Sequence, residues 1–396
     1  MLIVIVFKKG LRLVFGMEAH SIHRRMGTIS SRPQARRPFM GGANGLAGWT
    51  KRLNWKRRIE GVLQSSISRI QQGSLQVTDS ILVTGGTGQI GAEVVRQLVG
   101  LGHRVVVLDF KVNTANIADV IDGVLVVEGD ITDLSFMMKL ARRENVTRVL
   151  HLAAYLAVES NANPMRTIHV NILGSGNVLD TAVALNMERV CYASTVSVLG
   201  PQGMYGDSLA TENSPTSPMR LYGASKRTVE VTADAYKDLF GLDVVGIRPV
   251  LAYGMGRYTG GMGGFNSMIR DVALGRPAVL KQTKNLSTRI QLIYNADMAR
   301  AFVAALVGPS TPLSLYNAPV VETITWHDVI HTLQDLVPGA DISHESTSGD
   351  WDTALIDGGA AQRDLGVIPQ FDFRAGAAEM ISLFREQESD TSPSLT

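Results

Sequence analysis

The sequence predicts a doubly wound α/β fold, and three observations predict it. From Asp79 onward, short apolar runs alternate with helical patterns. The apolar runs are near-continuous, as strands of a parallel sheet covered on both faces must be. The first of them, Ile81-Leu82-Val83-Thr84, opens onto glycines at 85, 88 and 91 and then onto a helix.

The elements can be justified in order. Strands are expected over 81–85, 104–109, 124–130, 148–154, 189–195 and 242–249, with helices over 89–101, 132–143, 165–186 and 222–240 between them. In the stretch ILVTGGTGQIG, Gly85 serves the tight turn, Gly88 lets backbone approach a pyrophosphate, and Gly91 lets the helix pack closely on the strand. The N-terminal amides of that helix face the phosphates. The second strand ends in Asp109, eighteen residues past Gly91. A carboxylate there accepts hydrogen bonds from a ribose diol and repels a 2′-phosphate, so the expected cofactor is NAD and not NADP. Taken singly, the glycines would suit any strand–turn–helix corner and Asp109 any strand end; the complete βαβ unit joins them.

After Pro249 the pattern changes. Residues 253–264 are glycine-dense (YGMGRYTGGMGG), and a helix follows from Phe265. A short strand and a helix are expected within 289–308, a strand near 315–318, and a helix opening at Thr325, where Asp328 completes a capping box. An amphipathic helix, about 373–386, ends the pattern. The expected domains are therefore a cofactor-binding core over 79–250 and a smaller α/β substrate lobe over 251–396, with 289–308 returning to the core. The lobe is expected to close over the carboxyl edge of the sheet.

Residues 1–78 stand apart. They hold 14 Lys/Arg against 2 Asp/Glu, whereas the rest of the chain holds 24 against 34. The acidic body argues against nucleic acid as partner. MLIVIVF is too short for a membrane span, so no membrane association is expected. The basic extension reads as a transit peptide, a flexible arm or sequence upstream of a start at Met17, Met26 or Met40, and is expected to be poorly ordered. The expected compartment is the cytoplasm, or an organelle if the segment is a transit peptide. The single cysteine, Cys191, excludes an intrachain disulfide and a cysteine metal site. His327 and His331 share a helix face without a third ligand, and no metal is expected. His151 reads as a satisfied core histidine.

The chemistry centres on Tyr222 and Lys226 in LYGASK. At i and i+4 they share one helix face. A phenol is a poor base at neutral pH, and a nearby ammonium favours its ionised form. The strand before them ends in Ala193-Ser194-Thr195, which offers a hydroxyl to a substrate oxygen.

With TGGTGQIG, the strand-end Asp109, GDITD, HLAA, NILGSGNVL, the Ser/Thr strand, YGASK, IRP…YG and RDLGVIP, the chain resembles the extended short-chain dehydrogenase/reductases, the NAD-dependent epimerase/dehydratase family, from about Ile81 to Glu386. The resemblance implies a Rossmann-type sheet. It implies that Gly85, Gly88, Gln89, Ile90 and Gly91 meet the pyrophosphate, that Asp109 holds the adenosine ribose, and that Asp130 and Ile131 flank the adenine. Leu152, Ala153 and Ala154 would line the path to the nicotinamide. Asn171 matches an asparagine whose family role is partly structural, and the resemblance counts it, with Tyr222 and Lys226, among the cofactor-binding residues. Thr195, with Ser194 as alternative, would bind the substrate oxygen, Tyr222 would be the acid/base, and Lys226 would activate it and hold the cofactor ribose.

Relatives pair through the helices represented here by 165–186 and 222–240, so a homodimer is expected. Val170, Ile172, Val178 and Leu179 supply apolar surface in the first. Two departures bear on the substrate. Leu251 stands where many nucleotide-sugar members carry asparagine, and Tyr294 stands at a usual histidine position near Arg289 and Asp297. Pieces such as HLAAYLA and SVLGP, with the glycine-rich YTGGMGG, are similar to the L-threonine dehydrogenase branch. The expected activity is hydride transfer at a secondary alcohol or ketone carbon of a sugar-type small molecule, as in nucleotide-sugar epimerases and dehydratases. A net dehydrogenase of a small hydroxy compound is the alternative, and a non-catalytic NAD sensor a third reading.

Overall fold

The computed structural model describes residues 2–7, 10–15, 80–281, 283–346 and 353–391. The chain divides into two compact units between Leu75 and Gln76. In the first, Leu2–Phe7 and Gly10–Phe15 pair antiparallel, an element the sequence pattern did not suggest. The expectations for 16–79 lie outside the described residues.

The second unit is built on a seven-stranded parallel sheet. Its strands are β1 (Ser80–Thr84), β2 (Arg104–Asp109), β3 (Val124–Glu128), β4 (Val146–His151), β5 (Arg189–Ala193), β6 (Val244–Arg248) and β7 (Leu315–Asn317). Their order across the sheet is β7-β6-β5-β4-β1-β2-β3. The winding reverses between β1 and β4, which opens a crevice at the carboxyl ends of the strands.

Successive strand residues point to opposite faces, and both faces are dry. Val83, Val107, Leu150 and Val245 join one core with helices α1 (Gln89–Gly100) and α6 (Asn295–Val307). Leu82, Val106, Val149 and Val190 join another with α2 (Leu134–Arg143), α3 (Ser175–Ala184) and α4 (Leu221–Phe240). Two-sided burial is why these strands do not alternate in hydropathy.

The lobe has its own aromatic core. Tyr253, Phe265, Tyr294, Trp326 and Phe373 pack among α5 (Met262–Ala273), α7 (Trp326–Leu336) and α8 (Phe373–Thr391). Thr325 caps α7 in the expected box with Asp328.

Three expectations need correction. The lobe does not keep 309–396 to itself: Leu315–Asn317 pairs with β6 in the main sheet, and Ile356, Ala361 and Val367 pack into the main core. The helix expected over 165–186 is broken into a short turn at Pro164–Thr167, a π-helical stretch at Ile168–Gly174 and then α3. Finally, Val178 and Leu179 are buried against the sheet and leave no surface for a partner, while Leu173 and Val231 are about half exposed.

Candidate active site

A cavity of about 740 Å³ runs along the carboxyl edge of the sheet. Its floor is the turn after β1. Gly85 takes the turn at φ +72°, and a Cβ on Gly91 would sit 2.1 Å from the Gly85 carbonyl oxygen, so α1 can cross β1 this closely only without a side chain. Gly88 caps α1 without a side-chain bond, and the first turn carries no acid. The leading N–H groups of α1 have no partner within the helix, which leaves them suited to an anion. Gly85, Gly88, Gln89, Ile90 and Gly91 all line the cavity.

Gln89 does more than line it. Its amide donates to Asn295 Oδ1 at 2.9 Å and accepts from Asn266 at 3.3 Å, tying the head of α1 to α6 and α5. Asp109 is fixed by Thr87, whose backbone N–H and hydroxyl both donate to its Oδ2, at 2.8 and 2.6 Å. Burial pushes this carboxyl above its ordinary range, with the Thr87 bonds pulling the other way. Thr87, a hydroxyl inside the glycine turn, is a functional neighbour that motif reading passed over.

Asp130 and Ile131 also line the cavity. Burial pushes the Asp130 carboxyl up, but bonds from Thr132 and Arg166 outweigh it and hold the group below its usual value. Arg166 donates to Asp130 at 2.8 Å and lies 5.2 Å from the centre of the Phe110 ring. It too was absent from the motif reading. Leu152, Ala153 and Ala154 line the middle of the cavity.

Asn171 is the exception among the expected cofactor residues. It is fully buried and off the cavity lining. Its amide accepts from Tyr155 N at 2.8 Å, donates to Tyr155 O at 2.9 Å and reaches Ser225 Oγ at 3.1 Å. Both polar atoms are used to hold the Tyr155 backbone, so Asn171 shapes the wall without touching the contents. His151 is likewise internal: its ring bonds Thr84 and Ser175 at 2.7 and 2.9 Å, and burial pushes its pKa down to about 3.

Tyr222 lies in the first turn of α4, and Lys226 one turn on. A Cβ on Gly223 would meet the Ser197 carbonyl oxygen at 2.3 Å, so glycine brings the head of α4 against the turn that follows β5. Thr195 caps that turn through Ser197 N at 3.2 Å, and its hydroxyl stands near enough to the Tyr222 phenol to favour the ionised form. Lys226 is buried and donates to the Ala193 carbonyl at 2.8 Å. Ser194 is no substitute for Thr195, because it donates its hydroxyl to Glu230 at 2.5 Å.

The electrostatics differ from the expectation that Lys226 lowers the phenol. Burial pushes Tyr222 up to about 12, with the Thr195 bond acting against it. Burial also pushes Lys226 down to about 8. In the protein alone burial dominates both shifts, and neither group moves the other.

The rim towards the lobe is formed by Tyr155, Val158, Glu159, Leu251, Arg257 and Met262, among others. Arg257 pairs with Glu159 at 3.0 Å. Neither was anticipated; an arginine inside a glycine-dense run was the available signal. Among the described residues, no group of three or more His, Cys, Asp or Glu side chains could hold a metal. Among the same residues, no helix is long and apolar enough to cross a membrane.

The fold and this cavity are those of a Rossmann-type enzyme that uses a nicotinamide dinucleotide. The chain belongs to the NAD-dependent epimerase/dehydratase family, which it matches over residues 81–317, and it is an NAD-dependent enzyme. It is 26% identical over 380 residues to UDP-glucuronate 4-epimerase 4 of Arabidopsis thaliana, covering 87% of this chain and 82% of that one. It is also similar to the crystal structure of Thermus thermophilus UDP-glucose 4-epimerase in complex with NAD, with TM-score 0.70, 26% identity, and 77% and 99% of the two chains covered. An L-threonine dehydrogenase of Clostridium difficile shares the fold at TM-score 0.71 and 20% identity, covering 78% and 98%.

Proposed function

We propose that this protein is a nucleotide-sugar epimerase in which Thr195, Tyr222 and Lys226 carry the chemistry. The observation that supports it is that Thr195, Tyr222 and buried Lys226 line one cavity with the glycine turn. Bound NAD⁺ supplies a hydride acceptor and a positive charge. Thr195 and Tyr222 hold the substrate hydroxyl, and Tyr222 Oη takes its proton as the carbon is oxidised. Lys226, anchored on Ala193, holds the cofactor ribose and keeps positive charge near the phenol. Gly85, Gly88, Gln89, Ile90 and Gly91 receive the pyrophosphate, Asp109 the adenosine ribose, and Asp130 with Ile131 the adenine. In an epimerase NAD would both accept and return the hydride, so no net oxidation would accumulate.

Leu251 supports a second reading, net oxidation of a small hydroxy compound. It lines the cavity as an aliphatic side chain where a diphosphate-bearing substrate would favour a polar group. One panel separates the two: NAD-loaded protein with UDP-glucose, UDP-glucuronate, free sugars and hydroxy amino acids. Stereochemical inversion without build-up of reduced nicotinamide supports the epimerase, and stoichiometric reduction supports the dehydrogenase. The homodimer belongs to the same proposal, supported now by Leu173, Val231, Leu239 and Phe240, which are exposed near or on α3 and α4. A monomer mass by light scattering at micromolar concentration would count against it.

A further inference from the structure

Helix α4 carries Tyr222, Lys226 and Glu230 at i, i+4 and i+8, which places them in one stripe along the helix. The stripe docks on three consecutive residues at the end of β5. Thr195 stands beside Tyr222 in the cavity lining, the Ala193 carbonyl accepts from Lys226 at 2.8 Å, and Ser194 donates to Glu230 at 2.5 Å. Glu230 is itself held hard. Arg248, at the end of β6, donates to both its oxygens at 2.8 and 2.9 Å, and Arg227 reaches Oε2 at 3.0 Å. Glu230 and Arg248 are each 1% exposed.

A buried ion pair is a weak device for stability, since desolvation offsets most of the attraction, but it fixes geometry. Here the geometry it fixes leads to the site. Ser194 is covalently next to Thr195, so a carboxylate that holds the Ser194 hydroxyl also sets how far the Thr195 hydroxyl stands from the phenol. The same arginine ties the neighbouring strand β6 to the same anchor.

We propose that Glu230 is a positioning residue for the reaction, holding Thr195 against Tyr222 through the hydroxyl of Ser194. This rests on the roles given to Thr195 and Tyr222 above. Displacements of the order of 1 Å at a reacting group cost up to about a hundredfold in rate. The link therefore acts on turnover and on the ionisation of the phenol, while the cofactor contacts stay in place.

Ser194→Ala is the clean test, because it cuts the link and leaves the Glu230–Arg248 pair intact. The Tyr222 phenolate is titrated in NAD-loaded protein by absorbance, as a difference from Tyr222→Phe, which requires no substrate. The Thr195 hydroxyl favours the phenolate, so letting it drift away should move the titration to higher pH, by about half a unit or more. With UDP-glucose as substrate, kcat should fall about tenfold and the rising limb of kcat/KM should move the same way, with NAD affinity and Tm unchanged. Glu230→Gln keeps an oxygen for Ser194 but leaves Arg248 without its counter-charge, so Tm should fall while the titration stays near wild type.

A Ser194→Ala protein with an unmoved titration overturns the proposal. So does a rise in KM alone, which would place Ser194 on the substrate directly. A Glu230→Gln titration displaced beyond that of Ser194→Ala would show that charge and not position matters. Tyr222→Phe with full turnover would remove the underlying assignment together with the proposal. Tyr222→Phe that is inactive beside an unaffected Ser194→Ala removes the positioning role alone.

Discussion

The floor of the cavity and its rim are built by opposite means. The floor comes from one stretch of chain, 80–131, and is built mainly of backbone, a turn and a helix terminus, with the carboxylates of Asp109 and Asp130 beside them. The rim gathers Tyr155–Glu159, Pro249–Ala252, Gly256, Arg257, Met262 and Thr353 from separate segments, and it works through side chains. A backbone floor admits almost no variation, since a single Cβ on Gly91 would overlap the turn. A side-chain rim can change one residue at a time while the sheet stays as it is. The difference teaches that cofactor is fixed by the fold and substrate by residues laid over it.

The largest effect is expected where floor and rim meet. Tyr222→Phe keeps the ring and its packing but removes the proton acceptor, and should lower kcat by on the order of 10²–10⁴ with NAD affinity nearly unchanged. Lys226→Met should weaken both, as steady-state kinetics and NAD titration together would show. Equal damage to binding and turnover by Tyr222→Phe would erase the distinction between the two regions.

The floor alone is probed by cofactor choice. With Asp109 held by Thr87 at the strand end, NAD should bind at least about tenfold more tightly than NADP, or roughly 1.4 kcal/mol. Asp109→Ser should bring the two affinities together. Equal affinities in the unaltered protein would show that the carboxylate does not meet the ribose.

The rim alone is probed by Arg257→Ala. Its guanidinium pairs with Glu159 across the lobe side of the cavity. The change should raise KM for the sugar nucleotide by about tenfold, the usual worth of a charge-assisted contact, and leave NAD affinity and Tm in place. A fall in NAD affinity instead would move Arg257 to the floor.

The smallest effect concerns pH and the wall behind the floor. Buried His151 has its pKa lowered from 6.5 to about 3, so it is neutral when folded and binds a proton when unfolded across that window. Its contribution to stability is present in full above the unfolded value and is lost as pH falls through the window. Urea unfolding at about pH 7 and about pH 5 should show this loss, and His151→Asn should show less of it.

How far the sequence could be read follows from the same contrast. The floor was legible because its chemistry demands particular residues at fixed spacing within one βαβ unit, and the sheet because two-sided burial writes itself as unbroken apolar runs. Asn171 was misplaced because a motif position carries no direction; only the fold shows its amide turned to Tyr155. Val178 and Leu179 were taken as surplus because a helical pattern does not say which neighbour covers it. The Glu159–Arg257 pair joins residues 98 apart in sequence and left no local trace. Glu230 was within reach, since it continues the Tyr222–Lys226 spacing by one more turn.

The sheet closes late in chain order. Strand β7 joins β6 from residues 315–317, and the carboxylate of Asp297 takes backbone N–H bonds from Gln370 and Phe371. A ribosome that has released the whole glycine turn and the Tyr–Lys helix has still not released the segments that complete the sheet edge. Long-range parallel pairing forms slowly and exposes unpaired edges meanwhile. During synthesis the nascent chain therefore holds its nucleotide-binding half with the edge of β6 uncovered, and the last hundred residues act as a built-in cover for that edge. A premature stop before Leu315 would leave that edge unpaired, even though every residue of the floor had been made.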